Sequence, residues 1–339
     1  MNTSVFIGRR LILMIPILIG ITLVAFAVSH AVPADPVIAN LGQRAQDDPS
    51  IVARYRHEWG LDQPLPVQYL IYVKNLLHGD LGVSITSRRP VTTDLRQYFP
   101  ATLELATAAT IFSVLIGIPL GVLAAVRRNR PTDHISRLVS LIGISTPVFW
   151  LGLLALIVFY SHLGWFPGDG QIDVGIQPPR TITGMLVVDS LIAGDWAAFA
   201  NGLWHLILPA VVLGSYTLGI VTRMTRGSML EVLAQDYIRT ARAKGVNPRS
   251  VVFRHALRNA LIPTLTLVGL AYGSLLSGAV LTETIFSWPG IGRYATTTAG
   301  TLDFPAIMGV ALLTAFIYVV LNLIVDVLYG VLNPQIRLG

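Results

Sequence analysis

Six stretches of this chain are too long and too apolar to be the helices of a water-soluble core. They run from Leu11 to Val28, Leu105 to Val126, Leu138 to Tyr160, Leu203 to Val221, Ala260 to Thr282 and Ala306 to Val325, and His205 is the only Asp, Glu, Lys, Arg or His inside them. A helix rises about 1.5 Å per residue and the hydrocarbon core of a bilayer is about 30 Å thick, so roughly 20 mostly apolar residues cross it. The pattern predicts an all-α, polytopic membrane protein with six transmembrane helices. Composition agrees: 53% of the 339 residues are hydrophobic and 12% charged, about half the charged share of a soluble domain. A seventh stretch, Thr181 to Gly194, is short and carries Asp189, which suits an extracytoplasmic or interfacial segment.

The first stretch has two readings. Arg9-Arg10 followed by an apolar run ending near Ala25-Phe26-Ala27 resembles a signal peptide with its cleavage site, but the run exceeds the usual 7 to 15 residues. An uncleaved anchor is the expectation. Basic residues then orient the chain. Fifteen of the 24 lie on one side of the spans, from Arg9 and Arg10 through Arg127, Arg128, Arg130 and Arg137 to the 222–259 segment and Arg337. Seven of the other nine lie in the long segment from Ser29 to Pro100, where the rule has little force, leaving two. Both termini are expected in the cytoplasm, and the charge of +6 calls for no nucleic acid. With no cysteine in the chain, disulfides, thiolate metal sites and thiol catalysis are excluded.

Two segments stand outside the lipid. Residues 30–100 are expected to form a small extracytoplasmic cap between helices 1 and 2, with Tyr55, Trp59, Tyr69 and Tyr72 as its own core or as a partner surface. The division expected is 1–29 for the N-terminus and first helix, 30–100 for the cap, and 101–339 for the core, including a cytoplasmic loop at 223–259. In that loop Ser228 and Glu231 have the spacing of a capping box, opening a helix that continues to Lys244. Gly245 suits the left-handed position past a helix end, and Asn247-Pro248 suits the cap and first position of the next helix. Small residues at Ala241, Ala243 and Gly245 allow another protein to approach closely. A solvated basic loop that only enforces topology is the alternative.

Asp236-Tyr237-Ile238-Arg239-Thr240-Ala241-Arg242-Ala243-Lys244-Gly245, followed by Arg254-His255-Ala256-Leu257-Arg258-Asn259-Ala260-Leu261-Ile262-Pro263, resembles the signature loop of the dipeptide and oligopeptide permease family of ABC importers, in its branch of first permease subunits. The likeness covers essentially the whole chain. It includes Gly60-Leu61-Asp62, Gly79-Asp80-Leu81-Gly82, Thr146-Pro147-Val148-Phe149-Trp150, Arg223-Met224-Thr225-Arg226, the run from Glu283 to Gly292, and Asn333-Pro334-Gln335-Ile336-Arg337. Arg239-Thr240-Ala241 stands where importers in general carry Glu-Ala-Ala, a departure that fits the peptide branch. Gln335 stands where that branch often has arginine.

The resemblance implies an ABC importer type I permease fold in a bacterial inner membrane. It also implies a second homologous permease, two ATPase subunits and an extracytoplasmic solute-binding protein as partners. Tyr237, Arg239, Thr240, Ala241, Arg242, Ala243, Lys244 and Gly245 would be the ATPase-coupling residues. Such importers carry dipeptides, longer peptides, glutathione or nickel complexes. The chain would bind no cofactor and be no enzyme, with ATP and Mg on partner subunits. In keeping with that, Lys74 follows Val73 and Lys244 follows Ala243, so neither sits in the Gly-Lys-Ser/Thr context of a phosphate loop.

The competing class is an ATP-independent secondary carrier or channel, which would place ionisable groups near mid-membrane. Its candidates, Glu104, His205 and Asp326, all lie near predicted span ends. In the fifth span, Gly269, Gly273, Ser274 and Gly278 form small-x3-small pairs suited to helix packing. With Thr264, Thr266 and Ser277 they could instead line a pathway.

Overall fold

The computed structural model describes residues 3–31, Ser50, Ala53, His57 and 62–332. Among them the chain is helical, with a single isolated bridge between Val83 and Pro90 as its only strand-like pairing. The helices are α1 (Thr3–Ala31), α2 (Leu65–Leu77), α3 (Val91–Val126), α4 (Pro131–Ser145), α5 (Val148–Ala155), α6 (Leu186–Ala193), α7 (Trp196–Leu233), α8 (Asp236–Ala243), α9 (Leu257–Gly278), α10 (Val280–Ile285), α11 (Ile291–Gly300) and α12 (Phe304–Leu332). Wider π-helical turns extend α5 through Leu156–His162 and lead into α9 through Val251–Ala256.

Among the described residues, four helical segments are long and apolar enough to cross a membrane: α3, α7, Pro248–Leu276 and Phe304–Val325. The third predicted span is not one straight helix. Pro131–Ser145 and Val148–His162 reach the length of a span only together, as a pair bent by 105°. Pro147 lacks an N–H and disfavours helical backbone at the residue before it, and Thr146 accordingly sits at φ −85°, ψ 125°. Prolines 119, 209 and 263 lie inside continuous helices. Around Pro147 the run Gly143-Ile144-Ser145-Thr146 supplies only weak helix formers to resist the break. The apolar run Leu11–Val28 of the sequence lies within α1, which is itself 29 residues long.

The described residues form two compact units, 100–292 with 320–332, and those up to 99 with 293–319. In the first, α7 is the central element, packed against α4, α5, α6 and α9. Close backbone approach explains its glycines. A Cβ on Gly214 would stand 2.6 Å from the Ala109 carbonyl oxygen, and one on Gly219 2.6 Å from that of Ser140. With no hydrophobic drive between lipid-solvated helices, contact of this kind is a main source of association.

The second unit contains a hairpin at 82–90, closed by Ser84 N–H to Arg89 O at 2.9 Å and Val91 N–H to Gly82 O at 3.0 Å. Two fully buried carboxylates hold it. Asp303 accepts from Ser84 Oγ at 2.6 Å and Thr86 N–H at 2.9 Å. Asp94 accepts from Ser87 Oγ at 2.5 Å and Tyr294 Oη at 3.0 Å, with the Arg89 guanidinium 2.6 Å away. Burial, more than the Asp94 hydrogen bond, pushes the Tyr294 hydroxyl well above its usual range. Tyr69 and Tyr72, expected in a core of the cap, pack instead on Phe26 of α1, and Tyr69 Oη lies 2.9 Å from Thr22 Oγ1. α2 buries no residue fully and leans on α1. Tyr55, Trp59 and the Gly60-Leu61 pair lie outside the described residues.

Candidate functional site

The expected capping box at Ser228 does not open a helix. α7 runs unbroken through Leu233 because Met229 is fully buried in the packed core beneath it, and that burial outweighs a local cap. The next helix, α8, starts at Asp236 after an extended Gln235 (φ −70°, ψ 150°). Asp236 in its first turn and Arg242 in its last each face the helix end that favours their charge. Thr240 Oγ1 donates to the Asp236 carbonyl at 3.0 Å, and Arg239 pairs with the Asp236 carboxylate.

The end of α8 is as the sequence predicts. Gly245 adopts φ +75°. Its N–H donates to Arg242 O at 3.0 Å, while Val246 N–H reaches back to Ala241 O at 3.2 Å. These two bonds make a Schellman motif and satisfy carbonyls that a helix end leaves open. Asn247 then caps the following turn, its Oδ1 accepting from Arg249 N–H at 2.9 Å, with Pro248 in first position.

One side chain keys this segment into the fold. Ile238 is fully buried among Val122, Ala125, Met229, Val251, Ala256 and Ala260, and Ala241 and Val246 pack against the same cluster. Burying an isoleucine contributes about 2 kcal/mol. The rest of the segment faces outward. Tyr237, Arg239, Thr240, Arg242, Ala243, Lys244 and Gly245 are exposed, and a Cβ on Gly245 would meet nothing within 4 Å. Tyr237 is steadied by Asn259 Nδ2, which donates to its Oη at 2.8 Å. The result is a short, rigidly capped helix presenting a basic, small-residue surface.

A second polar cluster, at the start of α4, was not legible in the sequence. Asp133, at the start of α4, has a fully buried side chain. Its Oδ1 takes the Arg226 Nε–H at 2.7 Å and its Oδ2 the Arg226 Nη2–H at 3.0 Å, a two-pronged pair. Oδ2 also accepts from Asn129 N–H at 2.9 Å, which holds Asn129 at φ +60°, and Arg137 Nε lies 3.4 Å from Oδ1. The 93 residues between partners explain why no local pattern showed the pair.

The fifth-span residues do not share one environment. Thr264 is fully buried, 3.3 Å from Thr225 Oγ1, and a Cβ on Gly269 would stand 2.6 Å from Val325 Cγ2, so both sit at helix contacts. Gly273 is buried. Ser274 is exposed and bonds the Leu270 carbonyl, while Thr266 is partly buried and bonds that of Ile262. The surroundings of Ser277 and Gly278 lie outside those described.

Two of the carrier candidates, Glu104 and His205, are engaged in structure. Glu104 Oε1 accepts from Val187 N–H at 2.7 Å and Oε2 from Gln171 Nε2 at 3.3 Å, so it caps the start of α6. An open, mostly apolar cavity of about 390 Å³ adjoins it, walled by Ile111, Phe112, Val188, Leu206 and Val211. His205 Nδ1 lies 3.1 Å from Asp169 O and Nε2 3.3 Å from Asp173 Oδ1. Asp173 is held below its usual range, first by Asn201, which donates to it at 2.6 Å. Burial alone would push Asp189 up. The Thr183 hydroxyl and the amides of Thr183, Ile182 and Gly184 outweigh it and keep the carboxyl low. The side chain of Asp326 is not among those described. Among the described residues no three His, Asp or Glu are grouped to hold a metal.

Comparison with known proteins gives two family matches. Residues 117–338 match the family described as "Binding-protein-dependent transport system inner membrane component", and residues 4–106 match its N-terminal counterpart. The chain is 51% identical over 320 residues to the probable D,D-dipeptide transport system permease protein DdpB of Escherichia coli (strain K12), covering 94% of each. It is 48% identical over 334 residues to the di/tripeptide transport system permease protein DppB of Pseudomonas aeruginosa, covering 98% of each. The glutathione transport system permease protein GsiC of Salmonella choleraesuis is 38% identical over 332 residues, again covering 98% of each.

Proposed function

The chain belongs to the family of binding-protein-dependent transport system inner membrane components, and from that membership we propose that it is one permease subunit of an ATP-driven importer of dipeptides or short peptides. A second, homologous permease completes the pathway, a binding protein delivers the peptide from outside, and two ATPase subunits power the cycle. Family membership sets aside the ATP-independent carrier. The peptide assignment draws on the relatives, which are named for D,D-dipeptide and di/tripeptide transport.

In this reading α8 docks on one ATPase subunit through Tyr237, Arg239, Thr240, Ala241, Arg242, Ala243, Lys244 and Gly245. The observation that carries it is the combination at Ile238 and Gly245. One side of the segment is locked into the core while the other is exposed, basic and nearly free of bulk. A loop serving only to enforce topology needs neither the buried key nor the Schellman cap. ATP and Mg are bound by the partners, so hydrolysis takes place there. Both termini lie in the cytoplasm, as the fifteen-to-two distribution of basic residues supports. α1 and the bent α4–α5 pair bring the spans to six, and the segment before α3 forms the extracytoplasmic cap.

Gly245→Asp tests the docking. Its Cβ enters open space, so folding loses only about 1 kcal/mol to left-handed strain, whereas a charge buried against a partner costs several kcal/mol more. The variant should reach the membrane in near-normal amount, lose co-purifying ATPase subunits and take up no peptide. Gln177→Asp, on an exposed loop, is the control and should change neither. Full uptake with the ATPases still attached would reduce the segment to a topology anchor.

A further inference from the structure

We infer that the Asp133–Arg226 ion pair is the joint through which motion of α8 reaches α4, making both residues positioning residues for coupling. The inference rests on the ATPase-docking reading of α8. Its premise is the load path. α8 is keyed into the fold by Ile238, and one of the side chains around Ile238 is Met229 of α7. Arg226 lies three residues before Met229 on that helix, so the two are neighbours on its surface. A displacement of α8 therefore arrives at the stretch of α7 that carries Arg226.

From Arg226 the connection to α4 is directional. Two parallel contacts, Nε to Oδ1 and Nη2 to Oδ2, fix the orientation of guanidinium against carboxylate as well as their distance. Asp133 stands in the first turn of α4, and its Oδ2 also holds the Asn129 amide at the end of the turn leaving α3. A single buried carboxylate thus ties α7, the start of α4 and the α3–α4 turn. The other end of α4 is the break at Thr146-Pro147, where the chain bends by 105°. α4 packs along α7, with Gly219 against the Ser140 carbonyl, and the ion pair fixes its first turn while the chain breaks at its far end, the arrangement of an arm that follows α7. A buried ion pair contributes little net stability over an apolar pair of the same shape, so what this one adds is a fixed register between two helices.

The test uses the whole transporter in proteoliposomes with binding protein and a dipeptide, reading membrane abundance, ATPase attachment and ATP hydrolysed per peptide taken up. Arg226→Gln alone leaves the Asp133 carboxylate buried without its main partner and should lower abundance most. In the Asp133→Asn/Arg226→Gln double variant that orphaned charge is gone, so abundance should return to near wild type. The ATP spent per peptide should nevertheless stay raised about tenfold, and Arg226→Lys, with charge but no fork, should fall between. Fold maintenance alone predicts the opposite: the double variant, once restored in abundance, would transport at the wild-type ratio, and that result overturns the joint. Gly245→Asp separates the two readings. If it strips the ATPases while the double variant keeps a wild-type ratio, only the joint falls; if it leaves docking and uptake intact, the docking reading falls and the joint with it.

Discussion

The 82–90 hairpin and the 236–250 segment are both short polar connections between helices, yet they are built by opposite rules. The hairpin turns its polarity inward. Asp94 and Asp303 are fully buried and absorb hydroxyl and amide donors from Ser84, Thr86, Ser87 and Tyr294. The 236–250 segment buries one aliphatic side chain, Ile238, satisfies its backbone internally, and leaves its charges in solvent. The first arrangement resists change, because any movement orphans a buried carboxylate. The second tolerates contact, because nothing on its outer face is needed to hold it together.

The comparison breaks most visibly at Asp303. Asp303→Ala removes the acceptor of Ser84 Oγ, Thr86 N–H and Ala306 N–H at once. At about 1–3 kcal/mol for each buried donor left unpaired, the loss should be about 4 kcal/mol, seen as a lower melting temperature in detergent and reduced membrane abundance. A melting temperature equal to wild type would show that the buried carboxylates do not secure the hairpin.

Ile238→Ala should come next. Truncating a fully buried isoleucine costs about 3 kcal/mol, but the loss is confined to the seat of α8. Protease sensitivity at Lys244 and Arg249 should rise and ATPase attachment weaken, while the global transition shifts less than for Asp303→Ala. Equal global destabilisation by the two would erase the distinction between a locked connection and a keyed one.

Asn247→Ala is the smallest. It removes one helix cap, worth about 1 kcal/mol, and leaves the exposed face of α8 untouched. Attachment of the ATPases should stay within about twofold of wild type, measured by titration of the purified subunits. Complete loss of attachment would mean that the Asn247 side chain itself meets the partner.

What the sequence revealed follows how local the cause is. The left-handed Gly245 and the Asn247-Pro248 restart depend on a few adjacent residues, and both appear in the structure as read. The capping box at Ser228 was also a local pattern, but the burial of Met229 by distant elements carried α7 past it. Apolar length pointed to helices, four of which are long and apolar enough among the described residues to cross a membrane, without distinguishing the proline that breaks its helix, Pro147, from those that do not. Least legible were pairs far apart in the chain: Asp133 with Arg226, Glu104 with the start of α6, Asp94 with Tyr294. Their partners become neighbours only after the helices pack, and no periodicity announces them.

The length of α7 has a mechanical consequence. Its 38 residues extend about 57 Å at 1.5 Å per residue, nearly twice the roughly 30 Å of hydrocarbon. A helix that crosses the bilayer therefore has more than 20 Å left over to stand in water. A rod of that length is a lever: tilting it by about 5° about one end carries the other sideways through about 5 Å. A modest rocking of this one helix is enough to displace a contact at its far end by several ångströms, so a large stroke there needs only a small adjustment where the helix is gripped.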